Sequence, residues 1–117
     1  MRIAVVGAGG AGGLIGGRLS ALLRDSTEHQ VVLWCRGAVL DSVRQNGLRL
    51  HSGSGDLTAH PATVTHDAAE AGPCDVVIYA TKGYDLEVAA AETAPLVRSD
   101  TRVIPILNGI SAPETLA

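Results

Sequence analysis

Aromatic side chains are nearly missing from this sequence: 117 residues include no Phe, one Trp and two Tyr. A core without rings must be built from small and β-branched residues with backbones in close approach, and the 14 glycines suit that demand. Lysine occurs once, at Lys82, and nine basic residues face twelve acidic ones for a net charge of −3. An acidic chain without a basic run lacks the footprint of a nucleic-acid binder. Cysteine is limited to Cys35 and Cys74, far apart and outside any CxxC pair. That excludes a disulfide framework and predicts a reducing, cytoplasmic setting. The histidines at 29, 51, 60 and 66 lack metal-ligand spacing, so no metal is expected. A long hydrophobic run is absent too. Residues 3–17 are uncharged and follow Arg2, but seven of these fifteen are glycine and charge returns at Arg18. The stretch is too short to cross a bilayer and is not expected to be a membrane element.

What is present fits one domain over residues 1–117, long enough to bury about 60–70 % of its unfolded surface. Apolar residues make up 46 % of the chain, which argues against disorder. Short β-branched runs alternate with helical stripes. Arg2 to Val6 reads as a buried strand ended by Gly7, and Ile15, Leu19, Leu22 and Leu23 form an apolar helical stripe after it. Val31 to Trp34 is a second strand, and Val39, Leu40 and Val43 a short helix stopping at Asn46-Gly47. Leu48, Leu50, Leu57 and Ala59 alternate with polar residues around Ser52–Asp56, predicting a β-hairpin inserted in or flanking the main sheet. Asp75 to Thr81 is the clearest strand. Leu86, Ala90, Thr93 and Val97 mark a helical face interrupted near Pro95, and Arg102 to Leu107 is a last strand in which Pro105 suggests an edge. Asp67 and Glu70 look like helix-start carboxylates, and Asp85 is a candidate cap after Lys82. Strands buried on both faces and separated by helices imply a Rossmann-type, doubly wound, mostly parallel α/β sheet.

Gly7-Ala8-Gly9-Gly10-Ala11-Gly12 fits G-x-G-x-x-G, leaving the first strand and entering the first helix. In that context Gly7 permits the turn, Gly9 lets a diphosphate approach the backbone, and Gly12 lets helix and strand pack closely. The amide end of the helix then faces the phosphates. The alternative is a glycine-rich turn without a ligand. A nucleoside triphosphate loop is excluded, because no Gly-Lys pair occurs in the chain. At the end of the second strand the sequence reads Trp34-Cys35-Arg36-Gly37, where a ribose-binding carboxylate would otherwise stand. A guanidinium there suits a 2′-phosphate, so NADP(H) is favoured over NAD(H), with Arg36 discriminating. The competing reading is an ordinary exposed arginine. Lys82 and Asn108 follow the third and fourth main strands and should open onto the same rim. A point charge and an amide suit a nicotinamide ribose and a substrate carboxylate or carbonyl. A solvated lysine and a helix-capping asparagine are the plainer alternatives.

Ile3–Leu19, Arg36-Gly37, Asn46–Leu50, Val77–Tyr84 and Leu107–Gly109 together resemble the N-terminal domain of the ketopantoate reductase (2-dehydropantoate 2-reductase) family. The resemblance runs in order through essentially the whole chain. It implies NADPH-dependent reduction of the 2-oxo group of ketopantoate or a related 2-oxo acid, in pantothenate and coenzyme A biosynthesis. It further implies that Gly7, Ala8, Gly9, Gly10, Ala11, Gly12 and Arg36 hold the cofactor. Lys82 and Asn108 would face cofactor and substrate. In the family a helical C-terminal domain, which these 117 residues do not contain, supplies the general-acid lysine, a substrate-binding glutamate and much of a dimer contact. No catalytic residue is therefore expected in this chain, which should be inactive alone, and the full-length protein is expected to be a homodimer. Two departures stand out: Ser111 follows Ile110 where the family continues Asn-Gly-x-Gly, and Asp85 stands where glutamine is common. A non-catalytic NADP-binding or sensing module is the contrasting reading, and substrate-facing groups such as Lys82 and Asn108 argue against it.

Overall fold

Ala4, Val5 and Val6 are completely buried, which for three consecutive residues requires a strand covered on both faces. The computed structural model describes residues 1–7, 11–35, 37–52, 55–80 and 86–106. The elements run β1 (Arg2–Val6), α1 (Ala11–Leu23), β2 (Gln30–Trp34), α2 (Ala38–Asn46), β3 (Leu48–Ser52), β4 (Gly55–Ala59), β5 (Thr63–Thr65), α3 (Ala68–Ala71), β6 (Val76–Tyr79), α4 (Leu86–Glu92), a 3-10 turn (Ala94–Leu96) and β7 (Arg102–Pro105). Five strands form a parallel sheet in the order β5-β2-β1-β6-β7, and β3 and β4 pair as a separate antiparallel hairpin. The doubly wound sheet is thus as expected, and the hairpin flanks it.

Period-2 alternation divides the core into two layers. Ala4, Val6, Val32, Trp34, Val77 and Tyr79 face α3, α4 and the 3-10 turn, meeting Ala68, Ala71, Cys74, Ala89 and Leu96. Val5, Leu33, Cys35 and Ile78 face the other way, onto Leu40, Val43 and Leu48, with Ile15 and Leu19 of α1 alongside. Fully buried side chains such as Val5, Val6, Val32 and Leu33 each contribute about 1.5–3 kcal/mol of transfer free energy.

The structure corrects several details. The expected stripe on α1 fails at Leu22, which is 80 % exposed. The helix instead buries Gly13, Gly16, Gly17 and Ser20. A Cβ on Gly16 would lie 3.4 Å from Leu33 Cδ1 and 3.8 Å from Val5 Cβ, so a face of small residues brings the helix close to the sheet. On the later helical segment the buried face is Ala89, Thr93 and Leu96, while Ala90 and Val97 are exposed. The strand predicted from Asp75 starts instead at Val76, with Asp75 before it as a loop carboxylate. Asp75 accepts from the Arg2 main-chain N–H at 2.7 Å and pairs with Arg98. Strand β5 was not anticipated, whereas helix α3 starts where expected, with Asp67 capping it by accepting from the N–H groups of Ala69 and Glu70 at 3.0 and 3.3 Å. Pro105 sits on β7, an edge among the described strands, where its missing N–H breaks no ladder.

Candidate functional site

All five parallel strands end on one rim, and their hydrogen-bond ladders continue one step beyond the strands. Gly7 N–H donates to the Trp34 carbonyl at 2.8 Å, Cys35 N–H to Thr65 at 3.1 Å, Ala80 N–H to Val6 at 3.0 Å and Ile106 N–H to Tyr79 at 2.8 Å. These bonds bring Gly7, Cys35, Ala80 and Ile106 level at the carboxyl ends of the sheet. Strand β1 is central, with β2 and β5 on one side and β6 and β7 on the other. The chain leaves β1 toward β2 and later crosses back to β6. This is the topological switch point where open α/β sheets bind ligands.

Gly7 ends β1 with φ 102°, a conformation that L side chains rarely adopt. The chain then enters α1 at Ala11, and the first turn of this 13-residue helix holds no acidic side chain. Its amide end therefore carries an uncancelled partial positive charge. Helix α2 starts nearby on Gly37, which provides no side-chain cap, and a Cβ placed there would meet nothing within 4 Å. Among the described residues, α1 has no carboxylate in its first turn and α2 has no side-chain cap at its start.

Of the predicted site residues, Gly7 is described on the rim, and Ala11 and Gly12 begin α1. Ala8, Gly9, Gly10, Arg36, Lys82 and Asn108 lie outside the described residues, as do Asp85, Ile110 and Ser111. What the structure contributes is the arrangement of the strand ends from which those segments leave. It also adds residues that sequence reading did not single out. Trp34 Nε1 donates to the His66 carbonyl at 3.0 Å and ties the β5–α3 turn to the end of β2. The signal for that turn was the brief β-branched run Thr63-Val64-Thr65 before Asp67, too short to stand out by periodicity.

Nucleophilic chemistry finds no support in the thiols. Burial pushes the Cys35 thiol above its usual range, partly offset by the Arg44 charge. Burial does the same at Cys74, so both are protonated core residues near neutral pH. Both are free, and among the described residues no three metal-binding side chains cluster. His60 and His66 are exposed, as expected of surface histidines. Among the described residues no helix is long and apolar enough to cross a membrane. A groove of 470 Å³ between α2 and the hairpin is lined by Ala38, Val39, Ser42, Val43, Asn46 and Leu48 among others.

Comparison with known proteins agrees with this geometry. The model of the family described as "Ketopantoate reductase PanE/ApbA" matches residues 3–117. An uncharacterized oxidoreductase, YkpB, of Bacillus subtilis is 38 % identical over 109 residues, covering 93 % of this chain and 34 % of that protein. The crystal structure of 2-dehydropantoate 2-reductase from Porphyromonas gingivalis W83 superposes with a TM-score of 0.89 at 37 % identity, covering 97 % of this chain and 40 % of that one. A ternary structure of D-mandelate dehydrogenase with NADH and anilino(oxo)acetate has a TM-score of 0.76 at 27 % identity, covering 99 % of this chain and 36 % of that one. The chain spans between about a third and two fifths of the length of these relatives.

Proposed function

The chain belongs to the ketopantoate reductase PanE/ApbA family, and from that membership we propose that it is the dinucleotide-binding portion of an NADPH-dependent reductase of 2-oxo acids, with ketopantoate as the first candidate substrate. The observation that carries this reading is the rim where Gly7 turns out of the central strand, with α1 beginning at Ala11 without an acidic first turn and α2 at Gly37 without a side-chain cap. In this reading the Gly7–Gly12 segment and the amide end of α1 hold the diphosphate. Arg36, with the start of α2, takes the adenosine 2′-phosphate. Lys82 and Asn108 serve the nicotinamide ribose and the substrate's carboxylate or carbonyl.

The reduced nicotinamide, when bound, supplies a hydride to the 2-oxo carbon. The residues of this chain bind and orient, which places the reacting atoms in a near-attack geometry. The proton for the developing alkoxide is assigned to the remainder of the full-length protein, which is also expected to carry most of a dimer contact. The buried, unpaired thiols Cys35 and Cys74 support a reducing cytoplasmic setting.

Cofactor titration tests the reading. Arg36→Ala should weaken NADPH binding by about 1.5–3 kcal/mol, the range for a hydrogen bond to a charged group, and leave NADH unchanged. NADH belongs in the test because the mandelate dehydrogenase neighbour is held with NADH. Equal losses for both cofactors would reject the 2′-phosphate role. Turnover of ketopantoate and other 2-oxo acids by the full-length protein tests the enzyme reading. Tight NADPH binding with no 2-oxo acid reduced would favour a sensing module.

A further inference from the structure

Resting on the reading that a phosphorylated dinucleotide lies across this rim, we propose that His66 is a second specificity-determining contact for the adenosine 2′-phosphate, approaching from the β5 side of β2. The strand register carries the argument. β5 is the parallel neighbour of β2, with Thr65 opposite Trp34, and the Cys35-to-Thr65 hydrogen bond extends the pairing beyond both strands. Residue 66 therefore leaves the sheet beside Cys35, and Gly37, two residues on, begins α2 with its amide end open.

The turn that carries His66 is fixed at several points. The His66 carbonyl accepts from Trp34 Nε1 at 3.0 Å, the Asp67 N–H donates to Thr65 Oγ1 at 2.9 Å, and the Asp67 carboxylate accepts from two α3 amides. A side chain on a turn this well held is presented with little further loss of conformational freedom on binding. The imidazole is exposed, and among the described residues its ring takes part in no hydrogen bond or ion pair.

The charges around this spot are mixed, with two carboxylates and one guanidinium. Asp67, the nearest carboxylate, is turned onto the start of α3, where its charge is partly compensated by the amides it accepts from. Arg44 of α2 donates Nε to the Val64 carbonyl at 3.0 Å, which keeps a guanidinium behind the same strand end. Glu70, in the first turn of α3, is the opposing charge. The imidazole N–H can donate to a phosphate oxygen, and an unphosphorylated ribose offers it no charged acceptor.

Equilibrium binding by isothermal titration calorimetry tests this with wild-type protein, Arg36→Ala, His66→Ala and His66→Glu, each titrated with NADP+ and NAD+. His66→Ala is expected to weaken NADP+ about five- to tenfold, a screened hydrogen bond to a charged acceptor. His66→Glu should weaken it further by repulsion, and NAD+ should stay within about twofold in both. His66 is exposed, so unfolding midpoints should match the wild type. Unchanged NADP+ affinity in both variants, or equal losses for the two dinucleotides, would overturn the proposal. The equal-loss result would point to adenine or ribose contact instead. Wild-type protein that does not distinguish NADP+ from NAD+ would overturn both this inference and the dinucleotide reading beneath it. Normal discrimination that is lost in Arg36→Ala but untouched in the His66 variants would sink this inference alone.

Discussion

Replacing Gly47 with alanine should destabilise the domain severely, and the structure supplies the magnitude. Gly47 joins α2 to the hairpin with φ 79° and ψ 177°, a region essentially restricted to glycine, where an L residue costs about 1–3 kcal/mol. The new Cβ would also lie 2.6 Å from His60 Cε1, 2.9 Å from Thr58 Cγ2 and 3.0 Å from the Ala59 carbonyl. The exposed His60 ring can swing aside, but Ala59 pairs with Leu48 in the hairpin and its carbonyl cannot retreat without disturbing that register. Overpacking of this kind adds about 1–3 kcal/mol. The sum, about 2–6 kcal/mol, is a large share of a small domain's total stability and should lower Tm by at least about 8 °C. Urea and thermal unfolding, followed by far-UV circular dichroism, measure it. Gly16→Ala is the internal contrast. Its Cβ meets only ordinary contacts, at 3.4 Å and beyond, within a helix where alanine is favoured over glycine by about 1 kcal/mol. That variant should be neutral or more stable. A Gly47→Ala protein within about 0.5 kcal/mol of wild type, or a Gly16→Ala protein destabilised more than Gly47→Ala, would refute the reasoning.

The Asp75 carboxyl is held below the usual range, chiefly by the Arg2 main-chain N–H and then by Arg98. Its contribution to stability is therefore complete above the ordinary aspartate value, about pH 3.9, and is lost as pH falls through the lower folded value. Asp75→Asn should shrink the stability difference between pH 7 and pH 3 in urea titrations, and an unchanged acid limb would contradict the assignment. Buried Thr93 links the Tyr79 hydroxyl, at 2.8 Å, to the Ala89 carbonyl, at 2.6 Å. Thr93→Val should cost about 1–3 kcal/mol by stranding the phenol, while adding Tyr79→Phe to it should recover part of that loss; a double-mutant cycle with no coupling would show that the hydrogen bond is not the cause.

Local pattern by itself determined the β1–glycine–α1–β2 unit, the hairpin and the Asp67 cap. Each of these is written in adjacent residues: a β-branched run, a glycine cluster, period-2 alternation, a carboxylate two residues before the amide it caps. The same local reading marked the strand ends as the place for cofactor chemistry, because glycine, arginine, lysine and asparagine there stand directly after strands. Tertiary structure alone decided the rest. Three-residue β5 carries too little periodicity to be recognised, and it exists as a strand because β2 offers it a ladder. Leu22 points to solvent and Gly16 to the core because burial on α1 depends on which face the sheet accepts; a close-packed sheet accepts the face of small residues, whatever stripe the leucines form. The side-by-side placement of Cys35 and His66 joins residues 31 positions apart through a strand order set by crossover connections, which no local window of sequence contains.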